Sequence, residues 1–347
     1  MSKFNIVLLP GDGIGPEVTG AAQQVLQAVG LRFNHEFLFT TKLIGGAAID
    51  ATSDPLPRET VEACEKVDAV FLGAVGGPKW DGGKRRPEEG LLGIRKALGL
   101  FANLRPVTVS EATLDQSPLK PEIARGVDLL IVRELAGGAY FGEKKRDGDT
   151  ASDICIYTVA EIERVTRVAF EAARQRHNSV ISVDKANVME TSRLWRETVT
   201  RIHKDEFSDC ELEHMLVDTA AMRLIQRPRD FDVLLTENMF GDILSDEASM
   251  LAGSIGLLGS ASLGTQRPGL FEPIHGSAPD IAGKDFANPA GAIEAAAMLL
   301  SDGLGLRHEG KIVTAAISRA LKTGHRTRDL GGKDGCVAMC KAVIDCL

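Results

Sequence analysis

The chain has 347 residues, 44% of them hydrophobic and 25% charged, an ordinary globular mix that excludes global disorder. At roughly 150 residues per domain it suggests about two domains. The formal net charge is −8 and aromatics are only 5%, so the chain lacks the basic face that nucleic acid or an anionic membrane surface requires, and it has few rings for stacking single strands.

The opening MSKFNIVLLPGDGIG runs from Met1 into a short apolar stretch stopped by Pro10, with neither a signal-peptide core nor a cleavage site. A first strand is expected at 5–9. After Pro16, which suits a first helical position, Val18, Ala21, Ala22, Val25, Leu26 and Val29 follow helical spacing. Further strands are expected at 69–73, 128–132, 179–183 and 231–236. Thr158-Val-Ala-Glu161 is a capping box, followed by an apolar stripe at Ile162, Val165, Ala169, Ala172 and Ala173. Helices are expected near 189–203, 242–252, 290–301 and 311–323. Strand–helix alternation on this scale means an α/β protein. The longest apolar run, at 295–300, is far short of the ~18 residues that span a bilayer. Six cysteines with no CxxC pair point to a reduced, cytoplasmic chain; Cys336, Cys340 and Cys346 are read as helix positions rather than a metal cluster.

The glycine-rich stretch at 10–17 follows a strand and opens a helix, where a dinucleotide fingerprint would sit. G-x-G-x-x-G needs Gly at 16, however, and Pro16 is there, so this is not a Rossmann fold. A Walker A loop is absent too. A second loop, Glu272 to Asn288, carries His275, Gly276, Ser277, Ala278 and Asp280. Such a loop either cradles an adenosine, with Asp280 favouring a free 2′-hydroxyl, or is an ordinary connection. Asp242 and Asp246, four apart, put two carboxylates on one helix face. They either share a hard divalent cation such as Mg²⁺ or Mn²⁺, or are a helix-start acid and a solvent-facing one. Arg95, Arg105 and Arg133 are candidate carboxylate clamps. Lys185, just after a strand, is a general base or a surface lysine. Tyr140, among Gly137, Gly138 and Gly142, is a proton donor or part of a plain hairpin.

Together these segments resemble the β-decarboxylating dehydrogenases of the isocitrate/isopropylmalate dehydrogenase family, almost end to end. The resemblance is carried by GDGIGPE at 11–17, LIGGAAID at 43–50, FLGAVGGPKW at 71–80, LFANLRP at 100–106 and VRELAGGAYFGE at 132–143. It continues through SVDKANVMETSRLWR at 182–196, NMFGDILSDEASML at 238–251 and FEPIHGSAPDIAGKDFANP at 271–289. It implies a two-domain α/β fold. Residues 1–100 plus 253–347 would form a cofactor-binding domain, and 101–252 an inserted substrate, metal and dimerisation domain with an arm near 140–157.

The resemblance further implies a homodimer acting on a malate-type substrate with NAD and Mg²⁺ or Mn²⁺. Arg95, Arg105 and Arg133 would clamp carboxylates, and Asp218, Asp242 and Asp246 would bind metal. Lys185 and Asp218 would reach in from the neighbouring subunit. Lys185 would take the C2 hydroxyl proton and Tyr140 would protonate the enol carbon. Glu88, Leu91 and Leu92, with the partner's Val188, would line an apolar slot for an isopropyl group. Glu272, His275, Gly276, Ser277, Ala278, Asp280, Ile281 and Asn288 would hold the cofactor, with Asp280 and Ile281 selecting NAD over NADP. The implied activity is oxidative decarboxylation of (2R,3S)-3-isopropylmalate to 4-methyl-2-oxopentanoate and CO2 in leucine biosynthesis, with D-malate or tartrate as the alternative substrate. Ala136 and Ala139 depart from the usual family wording, which bears on loop packing near Tyr140.

Overall fold

The computed structural model describes residues 2–347. The chain up to Leu100 together with Ser254–Leu347 forms one compact unit, and Phe101–Gly253 forms another.

The first unit starts with β1 (Ser2–Gly11), whose Ile6, Val7, Leu8 and Leu9 are all buried. A strand buried on both faces reads as a continuous apolar run, because a parallel sheet is covered on both sides. Helix α1 (Gly15–Phe33) carries Pro16 in its first turn and buries Val18, Ala21, Ala22, Val25, Leu26 and Val29, the expected stripe. Then come β2 (His35–Thr41), α2 (Gly45–Thr52), α3 (Arg58–Cys64), β3 (Ala69–Ala74) and α4 (Glu88–Ala97).

The second unit runs β4 (Ala102–Thr108), α5 (Pro121–Ala124), β5 (Asp128–Glu134), the exposed antiparallel hairpin β6 (Lys144–Asp147) and β7 (Thr150–Asp153), α6 (Val159–Arg174) and β8 (Ser179–Asp184). It continues with α7 (Glu190–Glu206), β9 (Glu211–Leu216), α8 (Val217–Gln226), β10 (Val233–Thr236) and α9 (Asn238–Ser249). Its strands lie in the order β4-β5-β10-β8-β9, with β4 antiparallel to β5 and the other four parallel. Trp195, Phe170, Tyr157, Ile162, Val165 and Val199 fill its core.

The chain then completes the first unit with antiparallel β11 (Gly259–Leu263) and β12 (Gly269–Pro273), followed by α10 (Ala290–Met298), a π-helical turn at Leu299–Gly303, α11 (Arg307–Lys322) and α12 (Cys336–Asp345). Strand β12 lies parallel to β3, giving the order β2-β1-β3-β12-β11. Cys336 and Cys340 are buried, and their thiols donate to the carbonyls of Glu17 and Ala21 on α1. Burial pushes the two thiols up to about 12 and about 11, as structural cysteines require.

Two expectations change. The helix expected from 242 begins four residues earlier, at Asn238, because Glu237 caps it by accepting the Phe240 amide at 2.6 Å. Asp242 therefore lies in the second turn, and its reading as a helix-start acid falls away. The glycines at 11–15 serve close backbone approach: Gly13 has φ 57°, a Cβ there would run into the Ser277 carbonyl, and the Ile14 amide donates to that same carbonyl at 2.8 Å. Asp12 is a buried hub that accepts the amides of Gly46, Ala47 and Gly76 at 2.7–2.9 Å. Among the described residues no helix is long and apolar enough to cross a membrane.

Candidate active site

In the second unit the chemistry gathers at the carboxyl ends of the parallel strands, the edge where open α/β sheets bind ligands. Arg133 is the penultimate residue of β5, paired in register with Asn103 on β4 and Thr236 on β10. Arg105 lies two residues beyond Asn103, on the same strand face. Helix α9 starts just past β10 and lays Asn238, Asp242, Ser245 and Asp246 along one side.

The contacts follow from that layout. The Arg133 guanidinium donates from Nη1 to Asp242 Oδ1, and from Nε and Nη2 to Asn238 Oδ1 at 3.2 and 2.8 Å. Arg105 donates to Asn103 Oδ1 at 2.7 Å, Ser245 Oγ at 2.6 Å and Asp246 Oδ1 at 3.2 Å, and it stands 3.7 Å from Asp242. The Tyr140 hydroxyl donates to Asp242 Oδ2 at 2.9 Å. Burial, then the neighbouring Asp242 carboxylate, pushes the Tyr140 phenol above its ordinary value, so the proton stays on oxygen until something takes it. Two cations thus face two carboxylates, and the repulsion expected of an i, i+4 acid pair is offset by Arg105 touching both.

Lys185 and Asp218 sit apart from this group. Each follows the end of one of two adjacent parallel strands, β8 and β9, in which Asp184 pairs with Leu216. Lys185 Nζ is 2.9 Å from Asp218 Oδ1, and that hydrogen bond holds the Asp218 carboxyl below its usual value. The Asp184 carboxylate, buried, is gripped at 2.8 Å by both Nε and Nη2 of Arg196, while the Lys185 amide donates to Ser192 Oγ at 3.0 Å; together they fix the turn after β8. Strand β10 intervenes between β5 and β8, so at ~4.8 Å per strand the lysine lies on the order of 10 Å along the sheet from Arg133. Val188, in the same turn, is 66% exposed.

The metal expectation divides accordingly. Among the described residues no three or more His, Cys, Asp or Glu side chains form a metal-holding group. Asp242 and Asp246 supply oxygen donors from one helix face, a set that fits a hard divalent cation with further ligands to be completed from elsewhere.

In the first unit, α4 presents Glu88, Leu91, Leu92 and Arg95 at i, i+3, i+4 and i+7 along one stripe. Glu88 and Leu92 are exposed, Leu91 leans into the core formed by Ile44, Leu72 and Ile94, and Arg95 is buried. Arg95 Nη2 donates to the buried Glu272 at 2.7 Å, leaving its buried Nε without a partner.

A separate cavity of about 390 Å³ is lined by Ile14, His275, Ala278, Ile281, Asn288 and Arg328 among others, a volume in the range of small-molecule sites. His275 Nδ1 donates to the Gly276 carbonyl at 2.9 Å, which leaves Nε2 as a buried acceptor with no protein partner. Burial lowers the His275 pKa, so the ring is neutral at pH 7. An orphaned buried acceptor beside apolar walls fits a purine-type ligand. Asn288 is tied to Asp329 at 2.9 Å, and Arg328 lies over the Phe286 ring, 3.4 Å from its centroid. Ser277 is buried and occupied with Ile14, whereas Gly276 and Asp280 are exposed.

Four contributors were not singled out from sequence. Asn238, Glu237, Glu134 and Tyr157 form a buried polar group behind Arg133. The Tyr157 hydroxyl donates to Glu237 at 3.1 Å and accepts from the Asn238 amide at 3.0 Å, and Glu134 accepts the amides of Ala136 and Gly137 at 2.8 Å. Asn238 stands in the quoted NMFGD motif, yet an amide in a neutral role carries no charge pattern by which to find it.

Comparison with known proteins places the chain in a family. The family model described as isocitrate/isopropylmalate dehydrogenase matches residues 5–347. A 3-isopropylmalate dehydrogenase of Oleidesulfovibrio alaskensis is 56% identical over 98% of this chain and 98% of its own, and one of Bacillus subtilis is 59% identical over 94% and 92%. The crystal structure of isocitrate dehydrogenase from Methylococcus capsulatus superposes with a TM-score of 0.89 at 36% identity, covering 99% of each chain. The chain belongs to the isocitrate/isopropylmalate dehydrogenase family.

Proposed function

We propose that the chain catalyses the NAD-dependent oxidative decarboxylation of (2R,3S)-3-isopropylmalate to 4-methyl-2-oxopentanoate and CO2, in the cytoplasm, as a homodimer. The observation that carries the reading is the cluster of buried Arg105 and Arg133 with Tyr140, Asp242 and Asp246. The two guanidiniums suit bidentate grip on the substrate carboxylates. A divalent cation on Asp242 and Asp246 would supply Lewis acidity at the substrate hydroxyl, and a nicotinamide dinucleotide would supply the hydride acceptor. The cluster is neutral as it stands, and a dication with a dicarboxylate leaves it neutral.

Lys185, as the neutral amine left once its own proton has gone to solvent, takes the hydroxyl proton, and Asp218 beside it partners the ammonium that results. Tyr140 returns a proton to the carbon that has lost CO2. Because Lys185 and Asp218 lie apart from the arginine cluster in one chain, they complete the site of a second copy. That pairing is supported by Met222 and Ile225 on α8 and Ile243 on α9, 57%, 43% and 60% exposed on two helices that touch. A cytoplasmic setting is supported by six cysteines that are all free. On α4, the aliphatic face of Leu91 and Leu92 between Glu88 and Arg95 suits a branched alkyl group and repels a further carboxylate, which would be left unpaired. Asp280 favours NAD, since a 2′-phosphate would meet its charge.

The test is NADH formation with Mg²⁺ or Mn²⁺ on 3-isopropylmalate, D-malate, tartrate and isocitrate, each run with NAD and NADP. The highest kcat/KM is expected for 3-isopropylmalate with NAD. A higher value for any of the other three acids would replace the substrate assignment, and a preference for NADP would replace the cofactor assignment.

A further inference from the structure

Asn238 opens α9 and is 1% exposed. A side-chain amide has one acceptor end and one donor end, and both are used. Oδ1 accepts Nε and Nη2 of Arg133, while Nδ2 donates to the Gly137 carbonyl at 3.1 Å. Its backbone amide is held as well, on the Tyr157 hydroxyl. One residue therefore touches the arginine at the end of β5, the turn leading to Tyr140, and Tyr157, two residues before α6.

We propose that Asn238 is a positioning residue that sets the Arg133 guanidinium and the 137–140 turn in a single register, so that the carboxylate clamp and the proton donor arrive together. The inference rests on the proposed function for what those two groups do. Its physical basis is local. With Nε and Nη2 fixed by one oxygen, the plane of the guanidinium is set, and Nη1 is the edge that faces Asp242. The turn needs restraint because it contains two glycines, with Gly138 at φ 76°. Its near end is held by the hydrogen bond that Asn238 Nδ2 donates to the Gly137 carbonyl and its far end by Tyr140 on Asp242. The Tyr157 ring fills the space where a Cβ on either glycine would go.

Two substitutions separate the two grips. Asn238→Asp keeps an acceptor for Arg133 but sets a carboxylate oxygen against the Gly137 carbonyl, acceptor to acceptor. Asn238→Ala removes both. Asn238→Ala is expected to raise KM for 3-isopropylmalate and lower kcat, each by about tenfold or more, the scale of small misplacements of reacting groups. Asn238→Asp is expected to leave that KM within about threefold while kcat falls about tenfold. KM for NAD stays unchanged in both, which a general loss of structure would not allow. Amide hydrogen exchange over 137–142 in the ligand-free protein is expected to quicken in both variants, and this readout does not depend on the substrate assignment. If the parent enzyme turns over none of the four acids, the proposed function fails and exchange alone decides the positioning role. Kinetics within twofold of the parent together with unaltered exchange would overturn the proposal, as would equal KM losses in the two variants. Should Asn238→Ala not fold, the split between KM and kcat in Asn238→Asp decides.

Discussion

At the scale of single residues, the second unit keeps its acids in two environments. Asp218 is exposed and held low by Lys185, whereas Glu134 is fully buried. Burial pushes the Glu134 carboxyl from 4.5 up to about 7, against the lowering pull of the Ala136 and Gly137 amides and of Arg164. Between those values the folded chain holds a proton that the unfolded chain has released. Stability from this residue is therefore whole below about pH 4.5 and declines as pH rises through about 7. A displacement of that size corresponds to about 3 kcal/mol. The melting temperature is expected to fall from about pH 5 to about pH 8, and Glu134→Gln, which still accepts one of the two amides, should flatten that slope. An unchanged slope in the variant would show that Glu134 is already ionised across the range. The residues legible from sequence were those whose charge or motif announces a role, such as Arg105, Arg133, Asp242 and Lys185. Glu134 and Asn238 act through hydrogen bonds to backbone and to a guanidinium, and nothing in their spacing distinguishes them from ordinary polar residues.

At the scale of elements, legibility followed burial. Strands β1, β3, β5, β8 and β10 are runs buried on both faces, and each stood out as an apolar stretch. Strand β2 (HEFLFTT) lies on the sheet edge with none of its residues buried, and β4 contains Arg105 and Pro106. Strands β11 and β12 are five residues each, with glycine or proline at their ends. Periodicity gave no sign of any of these, because neighbours rather than local pattern stabilise them. The start of α9 was missed for a related reason: its cap is a glutamate, outside the usual Ser, Thr, Asp and Asn set. The cap of α6 was visible and is formed as expected. Thr158 Oγ1 accepts the Glu161 amide while the Glu161 carboxylate accepts the Thr158 amide at 2.8 Å. Thr158→Ala is expected to lower unfolding free energy by about 1 kcal/mol in urea titrations, with the slope unchanged. A loss within about 0.2 kcal/mol would mean that packing of the α6 stripe alone sets the helix end.

At the scale of the whole molecule, the proposed homodimer makes a mixing experiment decisive. Lys185→Ala and Asp242→Ala should each abolish turnover alone. In a mixed dimer, one site receives an intact lysine from one subunit and an intact arginine–aspartate cluster from the other. Random reassociation of equal amounts should then restore about a quarter of the parent activity, since about half the dimers are mixed and each has one whole site. No recovery, with mixed dimers demonstrated by mass spectrometry, would mean that each chain builds its site alone. A different consequence attaches to the first unit, whose sheet pairs Ala69 on β3 with Gly269 on β12, two hundred residues later in the chain. At ~5–20 residues per second, the ribosome takes roughly 10–40 s to make the partner of a strand already synthesised. Until then β3 carries an unpaired edge, a template for joining another chain. The contiguous second unit meets no such delay. Newly made protein is therefore most exposed to aggregation through its first hundred residues, and holding chaperones that act on that segment should raise its yield more than those that act after release.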